Sequence, residues 1–203
     1  MRIIIVLAVV GVLSDAQQVN DTRKVTQSGK INNCAKVEVQ PNFDPERYFK
    51  GTWYLTYAQH APNYGICRTV RTILHPNGTL NHTGYVYRPK RPKNQFYKVR
   101  CFGNETIEKG RSSLTCNVQE HANKKKPLQI QEVVMETDYD HYSISYRCVW
   151  RSKFKKENIW IYNRKKNDKS EDPVIAKSLK KKGLLLDKFT SRRKFDCVPH
   201  PEE

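Results

Sequence analysis

The sequence lacks the features of an enzyme and of a membrane-spanning protein. It contains no Gly-x-Ser-x-Gly motif, no phosphate-binding glycine loop and no histidine pair at metal-ligand spacing. Its six histidines are scattered along the chain. Beyond the first 16 residues, no apolar run approaches the roughly 20 residues that a transmembrane helix needs. The sequence therefore predicts neither catalysis nor a cofactor, and a binding function is favoured.

Acidic residues are also scarce. There are 20 Asp and Glu against 37 Lys and Arg, and the formal net charge is +17. A field this positive favours anionic partners. For a secreted protein these are phospholipid surfaces, polyanionic glycans, polyphosphate or small anions, whereas genomic nucleic acid is not expected. The ordinary alternative, in which the basic residues only keep the protein soluble, stays open.

The first residues, MRIIIVLAVVGVLSDA, have the pattern of a secretory signal peptide. Arg2 precedes the apolar run 3–13, and small residues at 14–16 suit cleavage. Residues 1–16 are therefore set aside from the fold. Residues 17–33 are polar and predict a flexible leader, and residues 34–203 predict a single domain.

The mature chain carries six cysteines in an oxidising compartment and no Cys-x-x-Cys pair. Three disulfides are therefore expected rather than a zinc site. The cysteine spacing alone leaves 15 connectivities open. The six residues are Cys34, Cys67, Cys101, Cys116, Cys148 and Cys197.

Four Asn-x-Thr sequons are candidate glycosylation sites, at Asn20, Asn77, Asn81 and Asn104. Such sites must be exposed to be used. Each match by itself is a weak signal.

Eight short runs rich in Tyr, Val, Ile and Thr predict β-strands, because turn signals separate them. The runs are 52–57, 68–74, 80–87, 96–101, 113–118, 128–135, 142–149 and 158–163. After them, DPVIAKSLKKKG predicts a helix that Asp172 caps and Gly183 ends. Eight sequential strands and one helix favour an all-β fold, a closed eight-stranded antiparallel up-and-down barrel with the helix packed outside.

Three separated motifs stand out along the chain. Gly51-Thr52-Trp53 follows the short segment DPERYF, TDYDHY lies between the sixth and seventh strands, and Arg164 follows the eighth. Together they resemble the motifs of the lipocalins. The resemblance implies that the Trp53 indole closes one end of the barrel and that the Arg164 guanidinium stacks on it. Gly51 would let the backbone approach closely.

Two longer stretches of the mature chain are FDPERYFKGTWYLTYA and DPVIAKSLKKKGLLLDKFTSRRKFDC. They are similar to the opening and to the ending of the salivary lipocalins of triatomine bugs, the nitrophorin and triabin group. This narrower resemblance covers almost the whole mature chain. The resemblance implies secretion into saliva. It also implies the disulfides Cys34–Cys148 and Cys67–Cys197, and a third bridge, Cys101–Cys116, like the extra pair of triabin-like members.

Nitrophorins hold haem through a histidine in a Tyr-His-Tyr stretch, and the matching stretch here is Tyr85-Val86-Tyr87. Val86 has no lone pair to offer iron. His82 lies on the same face of the strand but about 13 Å away, at about 3.3 Å per residue. The haem and nitric-oxide function is therefore not carried over to this chain, and His82 is interpreted as a lining residue.

The alternation of residues along the strands predicts an aromatic lining of the barrel. Such a lining suits a ligand with an apolar body and some polar groups. In the alternative interpretation, these side chains only form the hydrophobic core and bind no ligand. The predicted lining residues are Leu55, Tyr57, His82, Val86, Tyr142, Ile144 and Tyr146.

Three basic connections, at 88–93, 124–126 and 151–156, are predicted to crowd the open end of the barrel, because alternate connections of a meander lie at the same end. Such a rim favours an anionic ligand, or docking on an anionic surface, over a cationic amine unless acidic side chains lie within. Its basic residues are Arg88, Lys90, Arg91, Lys93, Lys124, Lys125, Lys126, Arg151, Lys153, Lys155 and Lys156.

Two classes of function stay open, and either would interfere with host haemostasis or inflammation. In the first, the protein sequesters a small host mediator, such as an eicosanoid or a nucleotide, in its calyx. In the second, it covers an anionic phospholipid, another polyanion or an exosite of a coagulation protease. A carrier of biogenic amines or of haem and nitric oxide is less favoured, and a monomer is expected.

Overall fold

Eight consecutive strands form one antiparallel sheet that closes on itself. The computed structural model describes residues 34–61, 63–89, 93–105, 108–119 and 127–203. Each strand pairs with the next in the chain, and β1 pairs with both β2 and β8. Closure therefore gives every strand a paired neighbour on both of its edges along part of its length. The strands are β1 Thr52–Ala58, β2 Arg68–Leu74, β3 Thr79–Arg88, β4 Gln95–Glu105, β5 Arg111–Gln119, β6 Leu128–Thr137, β7 Tyr142–Arg151 and β8 Phe154–Asn163.

The predicted up-and-down barrel is thus confirmed. The principal correction is at β8, which begins at Phe154 rather than at Asn158. Lys155 and Lys156 therefore lie on a strand, and only a tight turn at residues 152–153 connects β7 to β8. Ser152 takes the left-handed conformation that this turn needs, with φ at 52°.

Two short helices flank the barrel in sequence. Helix α1, Pro45–Tyr48, precedes β1, and the carboxylate of Asp44 caps it by accepting from the N–H of Glu46 and of Arg47. Helix α2, Asp172–Lys181, packs on the outside of the barrel, as predicted, with Ile175 and Leu179 fully buried. A two-residue strand, β9 Thr190–Ser191, then pairs with β1.

Asp172 does not cap α2, which corrects the sequence prediction. Glu171 holds the N-cap position and makes no side-chain cap hydrogen bond. The Asp172 carboxylate instead accepts hydrogen bonds from the hydroxyl of Tyr57 at 2.6 Å and from the guanidinium of Arg193 at 2.7 Å. Gly183 does end the helix, with φ at 71°, a conformation that glycine adopts without strain.

All three disulfides implied by the family resemblance are present. Cys34–Cys148 ties the N-terminal segment to β7, and Cys67–Cys197 ties the C-terminal segment to the start of β2. Cys101 and Cys116 are direct cross-strand partners on β4 and β5, with their Cα atoms 3.9 Å apart. None of the helices in the described parts of the chain is long and apolar enough to cross a membrane.

Candidate ligand-binding site

One end of the barrel is closed by Trp53 and Arg164. The guanidinium carbon of Arg164 lies 3.5 Å from the centroid of the buried Trp53 ring, a close cation–π contact. The indole N–H donates to the carbonyl oxygen of Tyr48 at 2.9 Å, and Arg164 donates to the carbonyl oxygen of Tyr139 at 3.0 Å. Gly51 has φ at 75°, where other residues are strained. These contacts close the barrel at the beginning of β1.

The interior above this closed end has an apolar wall. The strand registers place Val86 opposite Tyr97, Leu114 opposite Ile130, and Cys101 opposite Cys116, all buried. The space among the lining side chains is partly open to solvent. The lining residues are Tyr48, Phe49, Trp53, Val70, Thr72, Leu80, His82, Gly110, Ser112, Leu114, Glu132, Val134 and Tyr162.

A polar cluster crosses this apolar interior. Arg147 on β7 donates to the carboxylate of Glu132 on β6 at 2.9 Å, and the Arg147 side chain is only 3% exposed. Arg68 on β2 reaches across Gly84, where the guanidinium lies 3.8 Å from the position that a Cβ would take. Both guanidinium groups face the ring of Trp160, with their carbons 4.3 Å and 4.9 Å from its centroid. Two cationic groups and one carboxylate therefore meet inside the barrel.

Among the residues that the structure describes, three buried donors of this cluster have no hydrogen-bond partner. They are the Nε atoms of Arg68 and Arg147 and the hydroxyl of Tyr162. Leaving a buried donor unsatisfied costs about 1–3 kcal/mol, and more for a charged group. Native interiors rarely tolerate such groups, so each one calls for a partner. The partner that such donors favour is an acceptor, best of all an anionic one.

Electrostatics inside the barrel also favour an anion. Burial lowers the pKa of Arg68 to about 10, and the nearby charge of Arg147 acts in the same direction. Burial and the same two arginines lower the pKa of His82 to about 3. At neutral pH Arg68 is therefore charged and His82 is neutral, and the His82 Nδ1 atom lies 3.0 Å from the hydroxyl of Thr72. Since Glu132 pairs with Arg147, the charge of Arg68 has no ion-pair partner among the described residues.

Of the predicted lining residues, Leu55, His82 and Val86 do face the interior. Tyr57, Tyr142, Ile144 and Tyr146 do not, and that part of the prediction is wrong. The first three pack outside the barrel beneath α2. Tyr146 lies under the N-terminal segment, where its hydroxyl accepts from the N–H of Ala35 at 2.9 Å.

The physical reason why these side chains do not face the interior differs between β1 and β7. On β1 the pairing with β8 shifts between Leu55 and Tyr57, so a bulge there reverses which face Tyr57 presents. On β7 every residue from 142 to 148 is buried, because α2 and the N-terminal segment cover its outer face. The inward face of β7 is the polar one, with Ser143, Ser145 and Arg147.

Sequence reasoning missed Arg68, Glu132 and Arg147. A signal was present in β7, where Ser143, Ser145 and Arg147 alternate with apolar side chains. Such alternation is usually interpreted as a solvated face, which is why the charged residue was not placed inside. Arg68 was the first residue of a predicted strand and carried no separate signal.

The predicted basic rim is only partly within the described residues. Lys90, Arg91, Lys124, Lys125 and Lys126 lie outside them, as does the sequon at Asn20. Arg88 is exposed, and its guanidinium carbon lies 5.3 Å from the centroid of the inward-facing Tyr97 ring. Lys93, Arg151 and Lys153 are described and at least partly exposed. A positive field at the open end stays a prediction.

The chain resembles known proteins along most of its length. A protein-family model described as triabin matches residues 24–177. Triafestin-1 from Triatoma infestans is 28% identical over 171 residues, which cover 80% of each chain. The amine-binding protein of Rhodnius prolixus, solved with tryptamine, superposes with a TM-score of 0.70 at 17% identity over 83% of this chain and 91% of its own. LTBP1, solved with leukotriene C4, superposes with a TM-score of 0.52 at 22% identity over 79% of this chain and 91% of its own.

Proposed function

The chain belongs to the triabin family of triatomine salivary lipocalins, and from this premise we propose that it is a secreted protein that captures an amphipathic anion inside its barrel. Three disulfides and the signal-peptide pattern support secretion. Sequestering a mediator of haemostasis or inflammation is the role that such a protein would play in a host.

The observation that carries the proposal is the set of buried donors that have no partner in the described part of the chain, the Nε atoms of Arg68 and Arg147 and the Tyr162 hydroxyl. A carboxylate placed among them would accept their hydrogen bonds and balance the charge of Arg68. The apolar side chains of Val70, Leu80 and Leu114, which also line the interior, suit the remainder of such a ligand. A monocarboxylate with a long apolar body, as in the oxygenated fatty acids of the eicosanoid class, fits these features better than a nucleotide with several charges.

A biogenic amine fits less well. An ammonium group would need a free carboxylate, and the one in the cluster, Glu132, is held by Arg147 at 2.9 Å. The charge of Arg68 would oppose the entry of a second cation. Likeness to an amine-binding protein at 17% identity supports the shared fold and not a shared ligand.

The test is titration calorimetry with an oxygenated C20 fatty acid and with its methyl ester. Replacing Arg68 by Met removes the donor and the unbalanced charge. A hydrogen bond to a charged group contributes about 1.5–3 kcal/mol, so the affinity for the acid should fall by roughly 10- to 150-fold. Arg100→Met is the matched control, because Arg100 is exposed on the outer face of β4. Equal binding of acid and ester, or an unchanged affinity in the Arg68→Met protein, would refute the proposal.

A second function is favoured by the order of the strands. In the observed meander, β3, β5 and β7 end and β4, β6 and β8 begin at the end of the barrel away from Trp53. Basic side chains near these strand ends, such as Arg88, Lys93 and Lys153, would together attract an anionic phospholipid surface or a polyanion. This docking function does not require the barrel interior, so the Arg68→Met substitution separates the two functions.

A further inference from the structure

The outer face of β2, β3 and β4 exposes large apolar side chains. Ile73 is 60% exposed and Phe102 is 55% exposed. The strand registers place Ile73 opposite Asn81, and Asn81 opposite Phe102. The three residues thus form one row across neighbouring strands that are about 4.8 Å apart. An exposed aliphatic and an exposed aromatic side chain therefore flank Asn81 on its two sides.

The residue between them begins a glycosylation sequon, Asn81-His82-Thr83. Because Phe102 faces outward beside it, the Asn81 side chain also faces outward, whereas His82 faces the interior. A sugar attached to the Asn81 amide nitrogen would begin within reach of both apolar neighbours.

Two more sequons lie beside this row. Asn104 is opposite Thr79, which makes it a diagonal neighbour of Asn81, at about 7–8 Å between Cα atoms. Asn77 is exposed in the β2–β3 turn, and its side-chain oxygen accepts from the hydroxyl of Thr79 at 2.7 Å and from the Thr79 N–H at 3.1 Å. Both asparagines are at the end of the barrel that Trp53 closes, so glycans there would leave the open end free.

We propose that Asn81 carries an N-linked glycan whose first sugars pack on Phe102 and Ile73. The C–H face of a pyranose ring is weakly polar and is attracted to the negative face of an aromatic ring. Covalent attachment keeps the sugar at a high effective concentration over these side chains, so even a weak contact is populated. The glycan is bulky and solubilising, and it covers a face that would otherwise invite association.

Occupancy is measured first, on protein secreted from insect cells. Enzymatic removal of the glycan in ¹⁸O-labelled water marks each formerly modified asparagine, and peptide mass spectrometry then locates the label. Asn81 should be labelled, and Thr83→Ala, which removes the sequon but keeps Asn81, should lose the label there alone. An unmodified Asn81 would overturn the proposal.

Packing on Phe102 is then tested by thermal unfolding with and without the glycan. Removing it should lower Tm by about 2–4 °C in the wild type, the shift that one modest contact produces in a protein of this size. In Phe102→Ser the same treatment should change Tm by less than about 1 °C, because the packing surface is absent. Asn77→Gln is the control, because it removes a neighbouring sequon. In that variant the change in Tm on deglycosylation should still depend on Phe102.

Equal shifts in Tm with and without Phe102 would overturn the packing. So would dimerisation of the fully glycosylated protein that Phe102→Ser abolishes, since a second copy would then cover this face instead of the glycan.

Discussion

Glu132→Gln should weaken the fold and strengthen anion binding at the same time. The substitution leaves Arg147 buried without its counter-ion, since the two side chains are 3% and 11% exposed and 2.9 Å apart. Breaking a buried ion pair costs about 3–5 kcal/mol, and the glutamine oxygen can still accept a hydrogen bond, so a loss of about 3 kcal/mol is expected. In a protein of this size that loss lowers Tm by about 6–12 °C.

The same change removes the carboxylate that competes for Arg147. The affinity for a fatty-acid anion should then rise by at least about tenfold, the effect of one more charge-assisted hydrogen bond. Ligand at about 100 times its Kd should restore about 2.7 kcal/mol of stability. Thermal unfolding with and without ligand, together with calorimetry, measures both effects.

The matched control is Asp140→Asn. Asp140 pairs with Arg47 at 3.0 Å, almost the same distance, but the two side chains are 70% and 53% exposed. Exposed pairs contribute about 0–1 kcal/mol, so neither stability nor affinity should change noticeably. If Glu132→Gln instead weakened anion binding or abolished the binding of tryptamine in a folded protein, Glu132 would be a ligand-binding group and the proposed anion site would be wrong.

Two further predictions concern pH and salt. The pKa of His82, lowered to about 3 in the folded protein, lies below the ordinary value of 6.5, so the unfolded state binds the extra proton between these pH values. The contribution of neutral His82 to stability should therefore be fully present above pH 6.5. Below that pH the free energy of unfolding should fall by up to about 1.4 kcal/mol per pH unit. Denaturant unfolding of His82→Gln should lack this part of the slope, whereas the exposed His60→Gln should retain it; equal slopes would contradict the burial of a neutral His82. For the basic rim, binding to anionic vesicles should fall steeply between low salt and 0.15 M, where screening shortens to about 8 Å. Neutralising Arg88 and Lys93 should weaken this binding much more than neutralising Lys180 and Lys181 on α2, and equal losses would mean that only net charge matters.

Local signals along the chain were sufficient for the architecture. Strand alternation and turn residues predicted all eight strands, since both signals act within a few residues and do not depend on the rest of the fold. The closed end formed by Trp53 and Arg164 followed from the resemblance to the lipocalins. The disulfides followed from the family resemblance and not from their spacing. Local signals were not sufficient at the start of α2, where they predicted Asp172 as the helix cap. The Asp172 carboxylate instead accepts a hydrogen bond from Tyr57, which is more than a hundred residues away in the sequence.

The orientation of strands buried on both sides depended on distant parts of the chain. The amphipathic pattern of β7 is the same whichever face is turned inward, and the packing of α2 on Tyr142 and Ile144 selects the polar face for the interior. In the same way, the bulge on β1 turns the Tyr57 side chain to the outer face of the barrel. For this reason most of the side chains that line the interior are not those predicted from alternation, and its aromatic residues include Tyr48 and Tyr162. The interior also holds Arg68, Arg147 and Glu132, which lie on three separate strands and meet only in the closed barrel. Glu132 pairs with Arg147, and the Trp160 ring faces both guanidinium groups.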